Sequence, residues 1–307
     1  MSVVEKTISK LQKQRELAAA ESRGLPPITG AASEPARPDE QVSTHGSAPV
    51  QADPRPVLLD RGALRAAGLM PPEEEADLLT RQYRRIKHPL VAKAMGRGEP
   101  RDPKGYLIMI ASAMSGEGKS FTAMNLALSL SLEKDVEVLL VDADVAKPQL
   151  SRVMGLGGAP GLLEALRDPT RDVETLIRTT NVPSLSFLPA GVDADDATEL
   201  LSSARMDRTA ALLGERNRRR IVLFDSPPLL QTTESPALAR VAGQIVVVVR
   251  AESTPQPVLL DALETLEGHP AVSLVLNQSA RSGSTPYYYY GYGEKGGEAG
   301  QPARVQE

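Results

Sequence analysis

Tyr106-Leu-Ile-Met-Ile-Ala-Ser-Ala113-Met-Ser-Gly-Glu-Gly118-Lys119-Ser120 is the stretch of this chain that decides its fold. It begins as a short apolar run, passes through a glycine-flanked lysine, and leads into a helical pattern over 120–132. A strand, a glycine-rich loop and a helix in this order are the setting of a phosphate-binding loop. The glycines let backbone N–H groups approach phosphate oxygens, and the N-terminus of the helix adds positive potential.

The loop predicts a nucleotide site that also holds magnesium. Lys119 is expected to neutralise the β- and γ-phosphates, and the Ser120 hydroxyl is expected to ligate Mg²⁺. Ala113 stands where the strict pattern has its first glycine, which is a departure of one small residue. Nucleotide contacts are predicted for the loop and the first turn of the helix, namely Ser115, Gly116, Glu117, Gly118, Lys119, Ser120 and Phe121.

Short apolar runs alternate with helical segments around and after this loop. The runs are continuous, as expected for parallel strands that are buried on both faces. They cover 107–110, 136–141, 185–188, 221–224, 245–249 and 272–276, and helices are predicted over 120–132, 198–215 and 255–266. The pattern predicts an α/β fold with a doubly wound, mostly parallel sheet of the P-loop NTPase type.

Acidic residues follow two of the predicted strands. Asp142 and Asp144 come at the end of 136–141, and Asp225 follows 221–224. The carboxyl ends of parallel strands face the ligand crevice, where Mg²⁺ and its water ligands need oxygen partners. One such aspartate could simply cap the next segment, but three beside a phosphate loop predict a metal site that they form with Ser120.

The segments outside this P-loop domain, which we place at 101–280, differ from it in composition. Residues 1–20 have the spacing of an amphipathic helix, 21–57 form a Pro- and Ala-rich linker predicted to be disordered, and 58–100 form a helical segment preceding the core. Within that segment a helix is predicted around 73–92, ended by Pro89. Residues 281–307 are predicted to be a flexible tail, and five of the seven tyrosines lie in it.

Composition argues against several classes of protein. The net charge of -4 gives no general reason to bind nucleic acid, and the arginine-rich segment 216–220 is interpreted as a solvated helix end. The absence of cysteine excludes disulfides and thiolate metal sites, which fits a reducing cytoplasm. No stretch approaches the roughly 18 apolar residues of a membrane span, so membrane association is expected through a partner.

Three motifs stand together in this chain: 113–120, Asp142-Ala-Asp144-Val-Ala-Lys-Pro148 and Phe224-Asp225-Ser-Pro-Pro228. Together they resemble the bacterial tyrosine kinases (BY-kinases) of the P-loop type, which are unrelated to eukaryotic protein kinases. Three segments are most similar to the tyrosine autokinases of exosortase (PEP-CTERM) exopolysaccharide loci: Ser2-Val-Val-Glu-Lys, Tyr83-Arg-Arg-Ile-Lys-His-Pro-Leu90 and 144–148. The resemblance covers about 78–292.

The resemblance implies a protein-tyrosine autokinase that uses ATP and Mg²⁺. Catalysis would depend on Lys119, Asp142, Asp144 and Asp225, and either Asp142 or Asp144 would help to take the tyrosine proton. Asn277 would lie near the adenine ring, although an asparagine after a strand is also a common turn former. The tail could reach about 35 Å, far enough for phosphorylation in trans. The acceptors would be Tyr287, Tyr288, Tyr289, Tyr290 and Tyr292.

The same resemblance implies partners, a location and a form of assembly. The kinase would regulate exopolysaccharide polymerisation or export from the cytoplasmic side of the inner membrane, reached through a membrane chain-length-determinant activator protein. A cognate phosphatase and a homo-oligomer would be further partners, without nucleic acid. Many relatives assemble through a Glu-x-x-Arg-x-x-Arg motif, and its positions here correspond to Arg81, Arg84 and Lys87. The usual charge pairing therefore cannot form in the same way.

Two other functions are compatible with a phosphate loop. One is a positioning ATPase of the ParA/MinD kind, although those proteins usually carry a second lysine where this chain has Met114, and they lack a tyrosine tail. The other is a non-catalytic ATP-binding switch that controls assembly of an export complex, because phosphate loops also bind nucleotide without turnover.

Overall fold

A seven-stranded sheet lies at the centre of the computed structural model, which describes residues 56–98, 102–192 and 195–279. The strands are β1 Leu107–Ser112, β2 Glu137–Asp142, β3 Arg178–Thr179, β4 Leu185–Leu188, β5 Arg220–Asp225, β6 Gln244–Arg250 and β7 Val272–Asn277. Their order across the sheet is β3-β4-β2-β5-β1-β6-β7. Only β3 is antiparallel among these described strands. The predicted α/β fold with a mostly parallel sheet is confirmed.

Helices connect these strands and also precede the first of them. In the described ranges they are α1 Arg61–Ala66, α2 Ala76–Met95, α3 Lys119–Leu130, α4 Gln149–Val153, α5 Leu162–Arg167, α6 Ala197–Ser202, α7 Ala204–Glu215, α8 Glu234–Val241 and α9 Gln256–Glu264. Short 3-10 helices cover Glu73–Glu75 and Val173–Leu176. The predicted amphipathic helix over 1–20 lies outside the described residues.

The central strands are buried along almost their whole length, which explains their continuous apolar sequence. All six residues of β1 are buried, and β5 and β2 are buried after their first residue. Helices on both faces of the sheet require apolar side chains at every position instead of every second one. The six predicted runs all correspond to strands, whereas the two-residue β3 is too short to leave a pattern in the sequence.

Pro89 lies inside α2, so the prediction that it ends this helix is wrong. The helix continues to Met95 and ends at Gly96, which has a left-handed backbone with φ of 67°. Pro89 and Arg85 are both exposed, so water can reach the Arg85 carbonyl that loses its helical partner. The residues beyond the proline that pack into the core are Leu90, Val91 and Ala94. Their burial outweighs a proline cost of about 3 kcal/mol.

The single helix predicted over 198–215 is also wrong, because the structure has two helices there. Ser203 has an extended backbone between α6 and α7, with φ of -77° and ψ of 157°. Its hydroxyl accepts a hydrogen bond from the Arg205 N–H at 3.3 Å, as an N-cap does. The helical periodicity continues across the break, so it conceals this local start signal.

Residues 57–69 pack against the sheet and against the phosphate-loop helix. The Leu59 N–H donates to Asn181 Oδ1 at 2.8 Å, and Leu69 is buried. Asn125 on α3 donates through Nδ2 to the Leu69 carbonyl at 2.9 Å. The loop after α1 is therefore fixed beside the helix that begins at the phosphate loop.

Lys87 connects α2 to the C-terminal end of α3. Its Nζ lies 2.8 Å from Glu133 Oε1 and donates to the Ser129 carbonyl at 2.7 Å. Arg81 and Arg84, which precede it on α2, are exposed. The lysine at the last position of the assembly motif is thus engaged within its own chain.

Candidate active site

The loop between β1 and α3 has the shape of an anion cradle. Gly116 and Gly118 have φ values of 84° and 97°, in the left-handed region that favours glycine. At Gly118 a Cβ would lie 2.1 Å from Nδ2 of Asn277, so a larger residue would displace that side chain. The glycines are therefore required by backbone conformation and, at Gly118, also by space.

Glu117 stabilises this loop from within. Its side chain is buried, and Oε2 accepts the Met114 N–H at 2.8 Å while Oε1 accepts the Thr254 hydroxyl. The Glu117 carbonyl accepts Nδ2 of Asn277 at 3.0 Å. Thr254 follows β6 and Asn277 ends β7, so the ends of two strands hold the loop. Both carboxylate oxygens of Glu117 are thereby occupied, so the backbone of this residue is the part left available to a nucleotide.

Lys119 and Ser120 begin α3 at the carboxyl end of the sheet. Lys119 is buried, with a relative exposure of 6%, and its charge lowers the pKa of both Asp144 and Asp225 against the larger effect of burial. The Ser120 hydroxyl, which carries no charge, also lowers the pKa of Asp225 through its polar interaction with the carboxylate. A cation and a hydroxyl thus lie beside the predicted metal-binding carboxylates, as phosphoryl transfer requires.

Asp142 and Asp225 face each other at the ends of β2 and β5, where they are register partners. Both are buried, and burial raises the pKa of Asp142 to about 7 and, together with the charge of Asp142, raises the pKa of Asp225 to about 8. Oδ1 of Asp142 and both carboxylate oxygens of Asp225 have no hydrogen-bond partner among the described residues. Unpartnered carboxylate oxygens at these depths are costly unless a ligand engages them.

Ser151, which the sequence analysis missed, orients Asp142. Oδ2 of Asp142 accepts the Ser151 N–H at 2.8 Å and the Ser151 hydroxyl at 2.7 Å. The same hydroxyl accepts the Ala190 N–H at 3.1 Å, so α4, β2 and the end of β4 are joined at one point. The position of Asp142 is therefore fixed with Oδ1 left free.

Asp144 differs from these two carboxylates because it faces the open crevice. It lines a cavity that opens from the phosphate loop. Burial raises the pKa of Asp144, and Lys119 and Lys147 oppose that effect. Its Oδ1 accepts the Lys147 N–H at 3.2 Å. Of the two aspartates proposed to take a proton, Asp144 is the one that an incoming hydroxyl could reach.

The donor set fits Mg²⁺ bound together with a nucleotide. The unpartnered oxygens of Asp142 and Asp225 are hard ligands, and Ser120 and Asp144 lie beside them. In the part of the chain that the structure describes, no three acidic or histidine side chains converge to enclose a metal by themselves. Mg²⁺ commonly takes one or two carboxylates and completes its shell with phosphates and water, so this arrangement suits it.

A cavity of about 1750 Å³ opens from the phosphate loop. One wall is α2, with Leu79 and Ile86, and the opposite wall is β7, with Leu274 and Leu276. This space exceeds the 300–1,000 Å³ typical of a small-molecule site, so it can admit a nucleotide and part of a second substrate. Asn277, which is predicted to lie near the adenine ring, lines it as well.

The structure places almost all of the predicted site residues around this crevice. The exceptions are the acceptors Tyr287 to Tyr290 and Tyr292, which lie outside the described residues. Sequence reasoning missed Ser151, Thr254 and Gln231, whose Oε1 accepts the Ser115 N–H at 3.2 Å. These polar residues lie in segments without a motif, so no signal in the sequence marks them.

Three arginines of 216–220 bind acidic residues of the same chain. Arg216 pairs with Asp172 at 2.6 Å, Arg219 with Glu137 at 3.0 Å, and Arg220 with Glu174 at 2.5 Å. These pairs supply a structural role for the cluster. Among the described helices, none is both long enough and apolar enough to cross a bilayer.

Comparison with known proteins matches residues 105–267 to the family model described as an AAA domain. The chain is 30% identical over 234 residues to the tyrosine-protein kinase YwqD of Bacillus subtilis, covering 76% of this chain and 94% of that protein. It is 33% identical over 199 residues to the putative tyrosine-protein kinase EpsB of Ralstonia nicotianae, covering 64% of this chain. The match spans only 25% of that longer protein.

Solved structures show the same similarity. The kinase domain of VpsO superposes with a TM-score of 0.56 at 27% identity, covering 68% of this chain and 100% of that one. The BceF tyrosine kinase domain gives a TM-score of 0.56 at 28% identity, covering 70% of this chain and 86% of that one. The Escherichia coli kinase ETK, at 20% identity and a TM-score of 0.55, shares the fold.

Proposed function

The chain belongs to the bacterial tyrosine-protein kinases of the AAA domain family, and we propose on this premise that it is an ATP- and Mg²⁺-dependent protein-tyrosine autokinase. The acceptor would be its own C-terminal tyrosine cluster, 287–292. The observation that carries this proposal is the contact between Asn277 and the Glu117 carbonyl. The strand that precedes the tyrosine tail ends beside the phosphate loop, and this supports an acceptor in the same chain.

In this proposal each residue has a defined task in phosphoryl transfer. Backbone N–H groups of 115–120 bind the phosphates, and Lys119 neutralises charge on the β- and γ-phosphates. Ser120, Asp142, Asp144 and Asp225 hold Mg²⁺ directly or through water. When bound, the ion neutralises developing charge on the phosphate oxygens.

Asp144 is the group that we assign as proton acceptor. A tyrosine hydroxyl has a pKa of about 10, so its oxygen becomes a good nucleophile only as the proton leaves. The bond between tyrosine Oη and the γ-phosphorus forms while the bond from that phosphorus to the β–γ bridging oxygen breaks, and ADP departs. The tyrosine proton passes to the Asp144 carboxylate, whose exposure to the crevice supports this role.

The wider role follows from the relatives and is proposed on that basis. The resemblance of three segments to the tyrosine autokinases of exopolysaccharide loci supports a regulatory function in exopolysaccharide polymerisation or export. We propose that the protein acts in the cytoplasm at the inner membrane, activated by a membrane chain-length-determinant protein and reversed by a cognate phosphatase. Phosphorylation in trans within a homo-oligomer is consistent with the reach of the tail.

Mass spectrometry of the C-terminal peptide after incubation with ATP and Mg²⁺ tests the proposal. We expect phosphate on 287–292 in the wild-type protein and none in Lys119→Ala or Asp225→Asn. If the wild-type tail stays bare even when the membrane partner is added, the kinase proposal is wrong. ATP binding without turnover would then favour the assembly switch, and ATP hydrolysis without tyrosine phosphorylation would favour a positioning ATPase.

A further inference from the structure

Strand β7 forms an edge of the sheet and exposes apolar side chains. Val272, Leu274 and Leu276 are 37%, 53% and 64% exposed, which is unusual for a strand beside β6, whose first five residues are buried. No strand pairs with the outer side of β7 in the part of the chain that the structure describes. An open edge with exposed leucines is a surface that other segments tend to join.

The backbone N–H and C=O groups of these same residues are directed toward the open edge of the sheet. The carbonyls of Ala271 and Asn277 accept hydrogen bonds from Ile245 and Ala251, on the β6 side. Backbone groups alternate in direction along a strand, so the N–H and C=O groups of 272, 274 and 276 face outward. The exposed side chains and the free backbone groups therefore belong to the same three residues.

The sequence that follows β7 has the composition and length to pair with it. Tyr287-Tyr-Tyr-Tyr-Gly-Tyr292 contains six residues, as β7 does, and tyrosine is enriched in strands. It contains no proline, whereas Pro286 directly precedes it. Nine residues, 278–286, separate the two segments and include Gly283, which is enough to reverse the chain direction.

A full-length antiparallel pairing matches aromatic to apolar residues. With 277 opposite 287, Leu276 lies opposite Tyr288, Leu274 opposite Tyr290, and Val272 opposite Tyr292. Residues directly opposite each other share a face of the sheet, so three tyrosine rings would cover the three exposed side chains. Gly291, the one residue of the segment without a side chain, falls opposite Ser273 on the other face.

We propose that the unphosphorylated tyrosine segment 287–292 adds to the open edge of β7 as an antiparallel strand within the same chain. The segment would then border the crevice, because Leu274 and Leu276 line the cavity that begins at the phosphate loop. A phosphate carries about -1.5 to -2 charges near neutral pH and is strongly hydrated, so it disfavours packing on leucine. Phosphorylation therefore releases the strand, a consequence that rests on the proposed function.

Disulfide trapping in the full-length protein tests the docking directly, because the chain has no cysteine of its own. In the proposed pairing 273 and 291 form a non-hydrogen-bonded pair with Cα atoms about 4.5 Å apart, close enough for a disulfide. Ser273→Cys with Gly291→Cys is expected to form an intramolecular disulfide on mild oxidation without ATP. Ser273→Cys with Gly296→Cys is the matched control and is expected to react at least about tenfold less.

Loss of the apolar contact provides the second test. Leu274→Asp with Leu276→Asp, added to the first cysteine pair, is expected to lower the trapped fraction at least about tenfold, because the apolar contacts of both leucines with the tyrosine rings would be lost. Both leucines are exposed, and circular dichroism would verify that this variant is folded. The proposal would be overturned if Ser273→Cys with Gly291→Cys formed no intramolecular disulfide, or formed it no more readily than Ser273→Cys with Gly296→Cys. Disulfides between two molecules would show that a second copy occupies the edge instead.

Incubation with ATP and Mg²⁺ before oxidation separates docking from catalysis. The trapped fraction of the first cysteine pair is expected to fall with phosphorylation and to stay high in a Lys119→Ala background. If no phosphate is transferred, the proposed kinase function fails while the ATP-free trapping result still decides the docking. Unchanged trapping of a phosphorylated tail would contradict release by phosphate.

Discussion

At the scale of single residues, Asp142 and Asp225 destabilise the folded protein as long as no ligand engages their carboxylates. Both are buried, and three of their four oxygens lack a hydrogen-bond partner in the described residues. In the protein without metal, each carboxyl is more easily protonated than in the unfolded chain, where an aspartate titrates near pH 4. The folded state thus binds more protons than the unfolded state between about pH 4 and 8.

The stability of the metal-free protein should therefore fall as pH rises. Burying the two ionised carboxylates destabilises the folded state. Because their pKa values are raised on folding, this destabilisation is absent below the unfolded pKa and complete above the folded values of about 7 and 8. Each carboxyl that is protonated only in the folded state lowers the free energy of unfolding by about 1.4 kcal/mol per pH unit. Urea unfolding in a chelator between pH 5 and 8.5 measures this slope.

Asp225→Asn is the control for this pH dependence. The variant removes one of the two titrating groups, so we expect a shallower slope and higher stability at pH 8, together with loss of kinase activity. Saturating Mg²⁺ and nucleotide should stabilise the wild-type protein more at pH 8 than at pH 6, because protons compete with the metal. A wild-type slope equal to that of Asp225→Asn would contradict these pKa shifts.

Thr254 supplies a second prediction at this scale. Its hydroxyl donates to Glu117 and accepts the Arg250 N–H at 3.1 Å, so it joins the end of β6 to the phosphate loop. Thr254→Val should weaken ATP binding about fivefold to thirtyfold, corresponding to 1–2 kcal/mol for a lost hydrogen bond to a charged group. Calorimetric titration of the wild type and Thr254→Val measures it.

Thr265→Val is the matched control for that substitution, because the Thr265 hydroxyl, just after α9, donates to the Ala262 carbonyl of that helix, away from the phosphate loop. Equal ATP affinity of Thr254→Val and the wild type would show that the loop keeps its shape without the Thr254 contact.

The motif residues of the site could be predicted from the sequence, and their supporting contacts could not. Lys119, Asp142 and Asp225 stand in patterns fixed by the chemistry of phosphate and metal. Ser151 and Thr254 act through single hydrogen bonds to those residues. Such a bond depends on how distant segments pack together, and a serine or threonine outside a motif looks like any other polar residue.

At the scale of the elements, α2 tolerates a proline that local rules place at a helix end. The buried residues after Pro89 hold the last turns against the core. We therefore expect Pro89→Ala to restore a helical hydrogen bond and to raise the free energy of unfolding by about 1–3 kcal/mol. Denaturant unfolding measures the change.

Pro270→Ala is a fitting control for Pro89→Ala, since Pro270 lies between α9 and β7 and not in a helix. A loss of stability in Pro89→Ala would show that the helix depends on the kink or on the stiffness that proline gives to the unfolded chain.

The strands were easier to predict than the helix boundaries for a physical reason. Burial on both faces forces every position of β1 and β5 to be apolar, and this leaves an unmistakable run. The ends of α2 and α7 are decided by packing across the molecule and by one hydroxyl at Ser203. Periodicity alone carries neither kind of information.

At the scale of the whole molecule, Lys87 is engaged within its own chain and not held out to a second molecule. Lys87 is buried and binds Glu133 and the Ser129 carbonyl, so its charge serves the contact between α2 and α3. Arg81 and Arg84 remain exposed on α2 and are available to another molecule.

Substitutions at these positions should consequently have different effects. Lys87→Met should lower the free energy of unfolding by about 1–3 kcal/mol, because the Ser129 carbonyl loses its Lys87 donor and Glu133 keeps only the longer ion pair with Arg97 among those in the described residues. Its oligomeric state, measured by mass photometry at low temperature, should equal that of the wild type. Arg81→Glu with Arg84→Glu should instead alter oligomerisation with little effect on monomer stability. The opposite pattern would assign Lys87 to the interface.

The hydrogen bonds from the ends of β6 and β7 to the phosphate loop also determine when the loop can take its final shape during translation. The loop at 113–120 leaves the ribosome early, but Thr254 and Asn277, which hold Glu117, are made much later. A nascent chain lacking them has the nucleotide motif without the contacts that shape it. The protein should therefore acquire its affinity for ATP only after Asn277 has left the ribosome, shortly before the segment that bears the tyrosines emerges.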